Sequence, residues 1–338
     1  MGPITIKDIA RAASVSHSTV SRALRDSPLV SRETAQKIKR IASESGYRAS
    51  AVARSLATRR TQTFGVVVTT IADPFVAEVV SGIEETANDH GYSVILANSN
   101  AEPEREIKVV RAFGERRVDG IVVTSSRVGA LYVPMLAELR VPIVLINNQH
   151  PGEFVHSVMI ANVEASREAT THLIRLGHRR IAYLGDQFGH QSDAERFAGY
   201  RQALEEAGLP CLPELVARGD GKPEGGREAM ESLLARAEPP TAAFCYNDMS
   251  ALGALRCLRM HGLRVPHDIS LVGFDDLFLA QYTEPPLTTV HQPRRRMGYL
   301  AAKTLLDLLS GAPAQENVKV PGELIVREST APPARRGA

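Results

Sequence analysis

The chain has 338 residues, 43% hydrophobic and 23% charged, with a formal net charge of +2. That length suits two or three domains of an ordinary soluble protein. No apolar run approaches the roughly 18 residues that cross a bilayer, and Lys7, Asp8 and Arg11 interrupt the first apolar residues, which argues against a secretory signal.

The small net charge hides an asymmetry. Residues 1–60 carry 12 Lys and Arg against 4 Asp and Glu, a balance of +8, and the remainder carries −6. A basic head on a mildly acidic body implies that the head meets a polyanion. Cys211, Cys245 and Cys257 are odd in number and lack metal-ligand spacing, so they read as buried thiols in a reducing cytoplasm.

The first stretch, TIKDIARAASVSHSTVSRAL, reads as two short helices over a tight turn. Thr5 and Asp8 have capping-box spacing, Ile6, Ile9 and Ala10 share a face, and Arg11 closes the first helix. Ala13, Ser14 and Val15 make the turn. Ser16 caps a second helix with Val20, Ala23 and Leu24 inward and His17, Ser18, Ser21, Arg22 and Arg25 outward. Hydroxyls that hold phosphates and a guanidinium that forks onto a guanine edge fit a recognition helix. Ser31 opens a third helix, lined by Ala35, Ile38 and Ile41 and ended by Gly46. The next segment, YRASAVARSLATRRTQT, mixes Arg48, Arg54, Arg59 and Arg60 with Leu56, and suits a short helix that orders on DNA.

From Phe64 the texture changes. The aliphatic runs FGVVV, SVILA, DGIVVTS, PIVLINN and HSVMI alternate with helical patterns near 75–90, 102–117 and 130–140. The alternation resumes with helices near 164–176, 193–208, 224–237 and 248–262, and with RRIAYLGD, a weak strand near Leu215, TAAFCYN and ISLVGFDD. Such alternation means parallel sheets covered on both faces, and the units are too many for one sheet, so two α/β lobes are expected. Ligands of such sheets bind beyond the carboxyl ends of the strands. Those ends read Thr69-Thr70, Asn98-Ser99-Asn100, Thr124-Ser125-Ser126, Asn147-Asn148, Gly185-Asp186, Asn247-Asp248 and Asp275-Asp276, a lining suited to a hydroxyl-rich small molecule.

Catalytic signatures are missing. GDGKPEGG lacks phosphate-loop spacing, and no H-E-x-x-H, C-x-x-C or G-x-S-x-G occurs. Asp275 and Asp276 point opposite ways on a strand, and His178 in GHRR reads as a structural loop residue. No acid, base or nucleophile assembles, so the chain reads as non-enzymatic, without cofactor or metal.

With a helix-turn-helix head, a hinge and a two-lobed body in view, the chain resembles the lactose/galactose repressor family of bacterial transcription regulators from end to end. The matching stretches are TIKDIARAASVSHSTVSRAL, VSRETAQKI, GYRASAVARSL, DPFVAEVVSGIE, HLIRLGHRRIAYLG, RFAGYRQAL, AFCYNDMSALGAL, ISLVGFDDLFLAQYTEPPLTTVHQP and PGELIVREST. The resemblance implies an all-α head on a periplasmic-binding-protein-like α/β core. It implies a homodimer on a pseudo-palindromic operator, with an effector between the lobes changing the affinity. It puts His17, Ser18 and Arg22 on base edges, Ser16, Thr19 and Ser21 mainly on phosphates, Arg54 on the DNA, and Leu56 as the hinge wedge in the minor groove. In the cleft it implies Arg196, Asn247 and Asp275 from the second lobe, Asn147 with Thr124 or Ser125 from the first, Phe75 as an apolar wall and Gln292 at a crossover.

The implied domains are 1–47 for the head, 48–62 for the hinge, 63–161 with 293–322 for the first lobe, 162–292 with 323–330 for the second, and 331–338 as a tail, with no heptad extension for tetramers. Three positions depart from the family pattern: Ala49-Ser50 in place of Pro-Asn, Ala161-Asn162 in place of Asp-Asn, and Gly221 where an aromatic is common. The chain also has no Trp. The expected effector is a sugar, sugar acid or sugar phosphate, the last two held chiefly by Arg196. A stand-alone solute-binding protein with the same body is the alternative; the basic head and the missing secretory signal argue against it.

Overall fold

A computed structural model describes residues 4–24, 26–47, 60–126, 128, 139, 141–148 and 156–334. Arg25, the helical pattern at 130–140 apart from Leu139, and the hinge positions Ala49, Ser50, Arg54 and Leu56 lie outside the described residues. The chain forms two compact units, Met1–Gln62 and Thr63–Ala338.

Among the described residues the first unit has three helices, α1 (Ile6–Ala13), α2 (His17–Ala23) and α3 (Arg32–Glu44). The carboxylate of Asp8 accepts from the Thr5 N–H at 3.0 Å and the Thr5 hydroxyl at 2.7 Å, fixing the start of α1. That helix runs two residues past Arg11 and stops where Ser14 turns left-handed at φ 58°, a conformation a short polar side chain tolerates. Ser16 and Ser31 cap α2 and α3 by accepting from the N–H groups of Thr19 and Thr34. Ile9, Ala10, Ala13, Val20, Ala23, Ile38 and Ala42 make one small core, with Leu24, Ala35 and Ile41 packed on it.

The second unit contains two six-stranded sheets. One has the order β11-β5-β4-β3-β1-β2, from β1 (Thr63–Val68), β2 (Ser93–Asn98), β3 (Gly120–Thr124), β4 (Ile143–Ile146), β5 (Ser157–Ile160) and β11 (Val318–Val320), all parallel. The other has the order β12-β10-β9-β8-β6-β7, from β6 (Ile181–Asp186), β7 (Val216–Gly219), β8 (Ala242–Cys245), β9 (Ser270–Asp275), β10 (Thr288–His291) and β12 (Glu323–Ile325), with only β12 antiparallel.

The central strands of both sheets are buried on two faces, which explains why they read as unbroken aliphatic runs, whereas β2 at the edge of the first sheet leaves Ile95 and Leu96 exposed. Along β1, Phe64, Val66 and Val68 enter one core with α4 (Pro74–Asp89) and α10 (Arg294–Ser310), while Val67 enters the opposite core with α5 (Pro103–Glu115). In the second sheet Ala182 and Leu184 face α8 (Pro223–Leu234) and α9 (Asp248–Met260). Ile181 and Tyr183 face α6 (Asn162–Arg175) and α7 (Gln191–Glu206). Helices α4 and α10 touch along glycines: a Cβ on Gly82 would overlap the Arg295 carbonyl, and one on Gly298 the Val79 carbonyl.

The chain passes between the lobes three times. It leaves the first sheet after β5, returns from β10 into α10, and leaves again between β11 and β12. The crossings lie side by side. The Ala161 N–H donates to the Val320 carbonyl at 2.8 Å, and a Cβ on Gly322 would stand 3.5 Å from the His291 carbonyl.

Candidate functional site

In the head, α2 turns its apolar side inward and exposes His17, Ser18 and Arg22, with Ser21 and Thr19 half-buried. The Ser16 oxygen is committed to the cap and shares hydrogen bonds with the hydroxyls of Ser18 at 2.7 Å and Thr19 at 2.8 Å. The exposed end of the helix therefore presents a hydroxyl cluster, an imidazole and a guanidinium. A rigid, polar, cationic helix face can meet phosphates and base edges.

In the body, a crevice runs between the carboxyl ends of the two sheets. Asn147, Asn148 and Met159 line it from the first sheet, and Asn162, Gln191, Ser192 and Glu195 from the start of α6 and α7. Beneath it lies Arg196, only 4% exposed. Its Nε donates to Asn162 Oδ1 at 2.9 Å and one terminal nitrogen to the Tyr246 carbonyl at 2.6 Å. The guanidinium lies 3.7 Å from the Phe274 ring centroid and 3.9 Å from Asp275 Oδ1. Glu195, one residue before Arg196 on α7, accepts from the Asn162 amide at 2.8 Å.

Asp275 ends β9 at φ 117° and accepts from the Gln292 amide at 2.6 Å. Burial pushes its carboxyl up to about 6; Arg196 pulls it down, while Asp73, at the start of α4 in the first lobe, pushes the same way as burial. Asp73 is itself raised by burial. Asp276 turns away to His291 and Arg327. Arg294 spans the lobes, donating to the Asp275 and Asp276 carbonyls and, at 3.0 Å, to Glu78 on α4. Gln292 Oε1 and Arg294 Nε are buried without a hydrogen-bond partner among the described residues, so this seam retains unused polar capacity.

The structure brings Arg196, Asp275 and Gln292 together and sets Asn147 in the crevice wall. Asn247 is spent locally: its oxygen caps α9 through the Ser250 N–H at 2.8 Å, and its amide holds the Gly221 carbonyl at 2.9 Å. Thr124 is 3% exposed and its hydroxyl donates back to the Val67 carbonyl, so it braces β1 against β3. Ser125 is half-buried at φ 50°. Phe75 is half-buried and packs on the first-lobe core, and its N–H donates to Asp73.

Gln191, Ser192, Glu195, Asp73, Glu78 and Arg294 are site neighbours that no sequence pattern singled out, while Asn162 is marked only through the Ala161-Asn162 departure. Gln191, Ser192 and Glu195 lie within five residues of Arg196 on α7, so a helical reading around that arginine points to them. Tyr246 stands beside Gly221: a Cβ there would lie 3.6 Å from its ring, and its hydroxyl pairs with Ser192 at 2.9 Å. His178 is structural, its ring bonded to Thr241, Ser270 and the Ala331 carbonyl. Cys245 and Cys257 are buried, but Cys211 is only half-buried, short of the burial expected for all three.

Comparison with known proteins agrees with both units. Residues 5–50 match the model of bacterial regulatory proteins of the lacI family, and residues 170–330 match a periplasmic binding protein-like domain. The repressor PurR of Haemophilus influenzae is 34% identical over 96% of this chain and 98% of its own length. The lac repressor dimer bound to operator and the anti-inducer ONPF superposes with a TM-score of 0.90 at 29% identity, over 98% of this chain and all of that one. A CelR–cellobiose complex matches at 34% identity and a TM-score of 0.73, over 96% of this chain and 99% of its own. Such relatives are DNA-binding regulators that work as dimers under small-molecule control, not enzymes. The chain belongs to the lacI family of bacterial regulatory proteins and is a DNA-binding transcriptional regulator whose core takes a small effector.

Proposed function

We propose that this regulator is a cytoplasmic repressor that answers to an uncharged, hydroxyl-rich metabolite, a sugar or polyol, held in the crevice between the lobes. The observation that carries this is the crevice lining. Asn147, Asn148, Asn162 and Gln191 line the crevice with amides, Ser192 with a hydroxyl and Glu195 with a carboxylate, polar groups that hydrogen-bond one another and can exchange those bonds for bonds to a ligand. Such a set matches alcohol groups. A sugar acid or phosphate is less well served, because the guanidinium of Arg196 already points at Asn162, Tyr246 and Asp275. Arg196, Asp275 and Gln292 then act as the floor that positions Asn162 and the β9 end, with Asn247 and Tyr246 supporting the second-lobe wall.

On the DNA side His17, Ser18 and Arg22 read base edges, and Ser16, Thr19 and Ser21 hold phosphates. Arg54 and Leu56 serve the hinge, with Leu56 the minor-groove wedge. Ligand-driven movement of the lobes changes how the hinges of a dimer are held, and so whether both heads meet their half-sites.

The test is a thermal-shift screen of the whole chain against neutral sugars, polyols, sugar acids, sugar phosphates and purines. A ligand at a hundred times its Kd stabilises the binding state by about 2.7 kcal/mol, a readable shift in midpoint. Hits confined to acids and phosphates would overturn the uncharged reading.

A further inference from the structure

Away from the crevice, on the helical layer formed by α8 and α9, three side chains of different chemistry converge. Cys257 and His261 lie one turn apart at the end of α9, and Glu231 faces them from α8. The three donor groups all fall within 4.8 Å of one another. His261 Nε2 lies 2.9 and 3.0 Å from the two carboxylate oxygens, and Cys257 Sγ lies 3.3 Å from Glu231 Oε2. We propose that Glu231, Cys257 and His261 form a binding site for a thiophilic divalent cation, with Zn²⁺ the best fit.

The chemistry of the set selects the ion. Sulfur, imidazole nitrogen and carboxylate oxygen together suit Zn²⁺ or Co²⁺ and not Mg²⁺ or Ca²⁺, which take oxygens alone. Zinc bonds of about 2.0–2.3 Å in a tetrahedron separate donors by roughly 3.3–3.8 Å, so small rotamer adjustments bring these groups into place. Two donors come from one helix turn and the third from the helix packed beside it, which makes the site a clip across α8 and α9. The sulfur is buried, whereas the side chains of Glu231 and His261 are 52% and 43% exposed, leaving an entry path and a fourth position for water.

The surroundings favour a cation at this place. The Cys257 thiol donates to the Glu231 carboxylate at 3.3 Å, and the His261 ring lies against the same carboxylate. A bound Zn²⁺ would displace the thiol proton to solvent and take the sulfur and the carboxylate oxygen as ligands. Arg227, a cation close to the group, is engaged by Glu224 at 2.7 Å and Glu228 at 3.3 Å. This inference is independent of what the crevice binds.

Cobalt titration of the whole chain tests it. The expected result is one Co²⁺ per chain with a thiolate-to-cobalt charge-transfer absorption and a raised Tm, both displaced by Zn²⁺ and reversed by a chelator. His261→Gln and Glu231→Gln alter exposed side chains and should each weaken binding at least tenfold, with His267→Gln as an unaffected control. Cys257→Ser should remove the charge-transfer band. A wild-type chain without that band, or with affinity unchanged by His261→Gln and Glu231→Gln, would overturn the site.

Discussion

Replacing Arg196 with alanine removes a group on which three neighbours depend. The Asn162 Oδ1 and Tyr246 carbonyl lose donors at 2.9 and 2.6 Å, and Asp275 loses its nearest second-lobe cation. Breaking a buried pair typically costs about 3–5 kcal/mol, because the partner charge is stranded. The loss must depend on pH. The folded pKa of Asp275, about 6, lies above the unfolded value near 3.8, so its contribution to stability is full below the unfolded pKa and is lost as pH rises through 6. Without Arg196 that folded pKa climbs further. At pH 5 the variant keeps Asp275 protonated and neutral, and little is stranded. At pH 8 the carboxylate must ionise with Arg294 as its remaining cation, or hold its proton at about 1.4 kcal/mol per pKa unit. Urea unfolding of wild type and Arg196→Ala at pH 5 and pH 8 measures this. A loss of about 4 kcal/mol at pH 8 with a clearly smaller one at pH 5 is expected; equal losses would refute the coupling of Arg196 to Asp275.

Arg22→Ala should cost about 1–3 kcal/mol on the best operator and relax preference at one base pair, read by competition among single-base operator variants; undiminished discrimination would remove it from base contact. Asn247→Ala should destabilise the core by about 1–2 kcal/mol through the lost cap, whereas Asn247→Asp keeps the cap and loses only the Gly221 bond, which thermal unfolding separates. Gly82→Ala forces α4 from α10 and should cost about 1–3 kcal/mol, with a lowered Tm. A neutral change there would mean the helices part freely.

Periodicity made the architecture legible. The unbroken aliphatic runs GIVVT and IVLI are strands covered twice, and Ser16 and Ser31 announce their helices by capping chemistry. Strand ends marked the crevice, but not which polar ends face it. Thr124 and Asn247 were legible as polar termini, yet one turns into the sheet and the other caps a helix, because backbone groups nearby compete for the same oxygens. Gln191, Ser192 and Glu195 were silent, being ordinary helix-surface types whose meaning comes from the strand opposite. Cys257 and His261 stand four apart, a pair that spacing can reveal, but a pair is not a site, and the third donor, Glu231, comes from the neighbouring helix, where nothing in the sequence links it to them.

The triple passage of the chain between the lobes has a mechanical meaning. Two bodies joined by one flexible strand keep three rotations. Joined by three strands lying abreast, at Ala161, Gln292 and Pro321, they keep chiefly the rotation about the line of the strands. The core therefore behaves as a mechanism with one principal degree of freedom. A ligand that touches both walls of the crevice cannot tighten one contact without turning the whole first lobe by a set amount. An effector held in the crevice would thus deliver a displacement whose direction the covalent chain has already chosen, and selection on the crevice is left free to change the ligand without redesigning the movement.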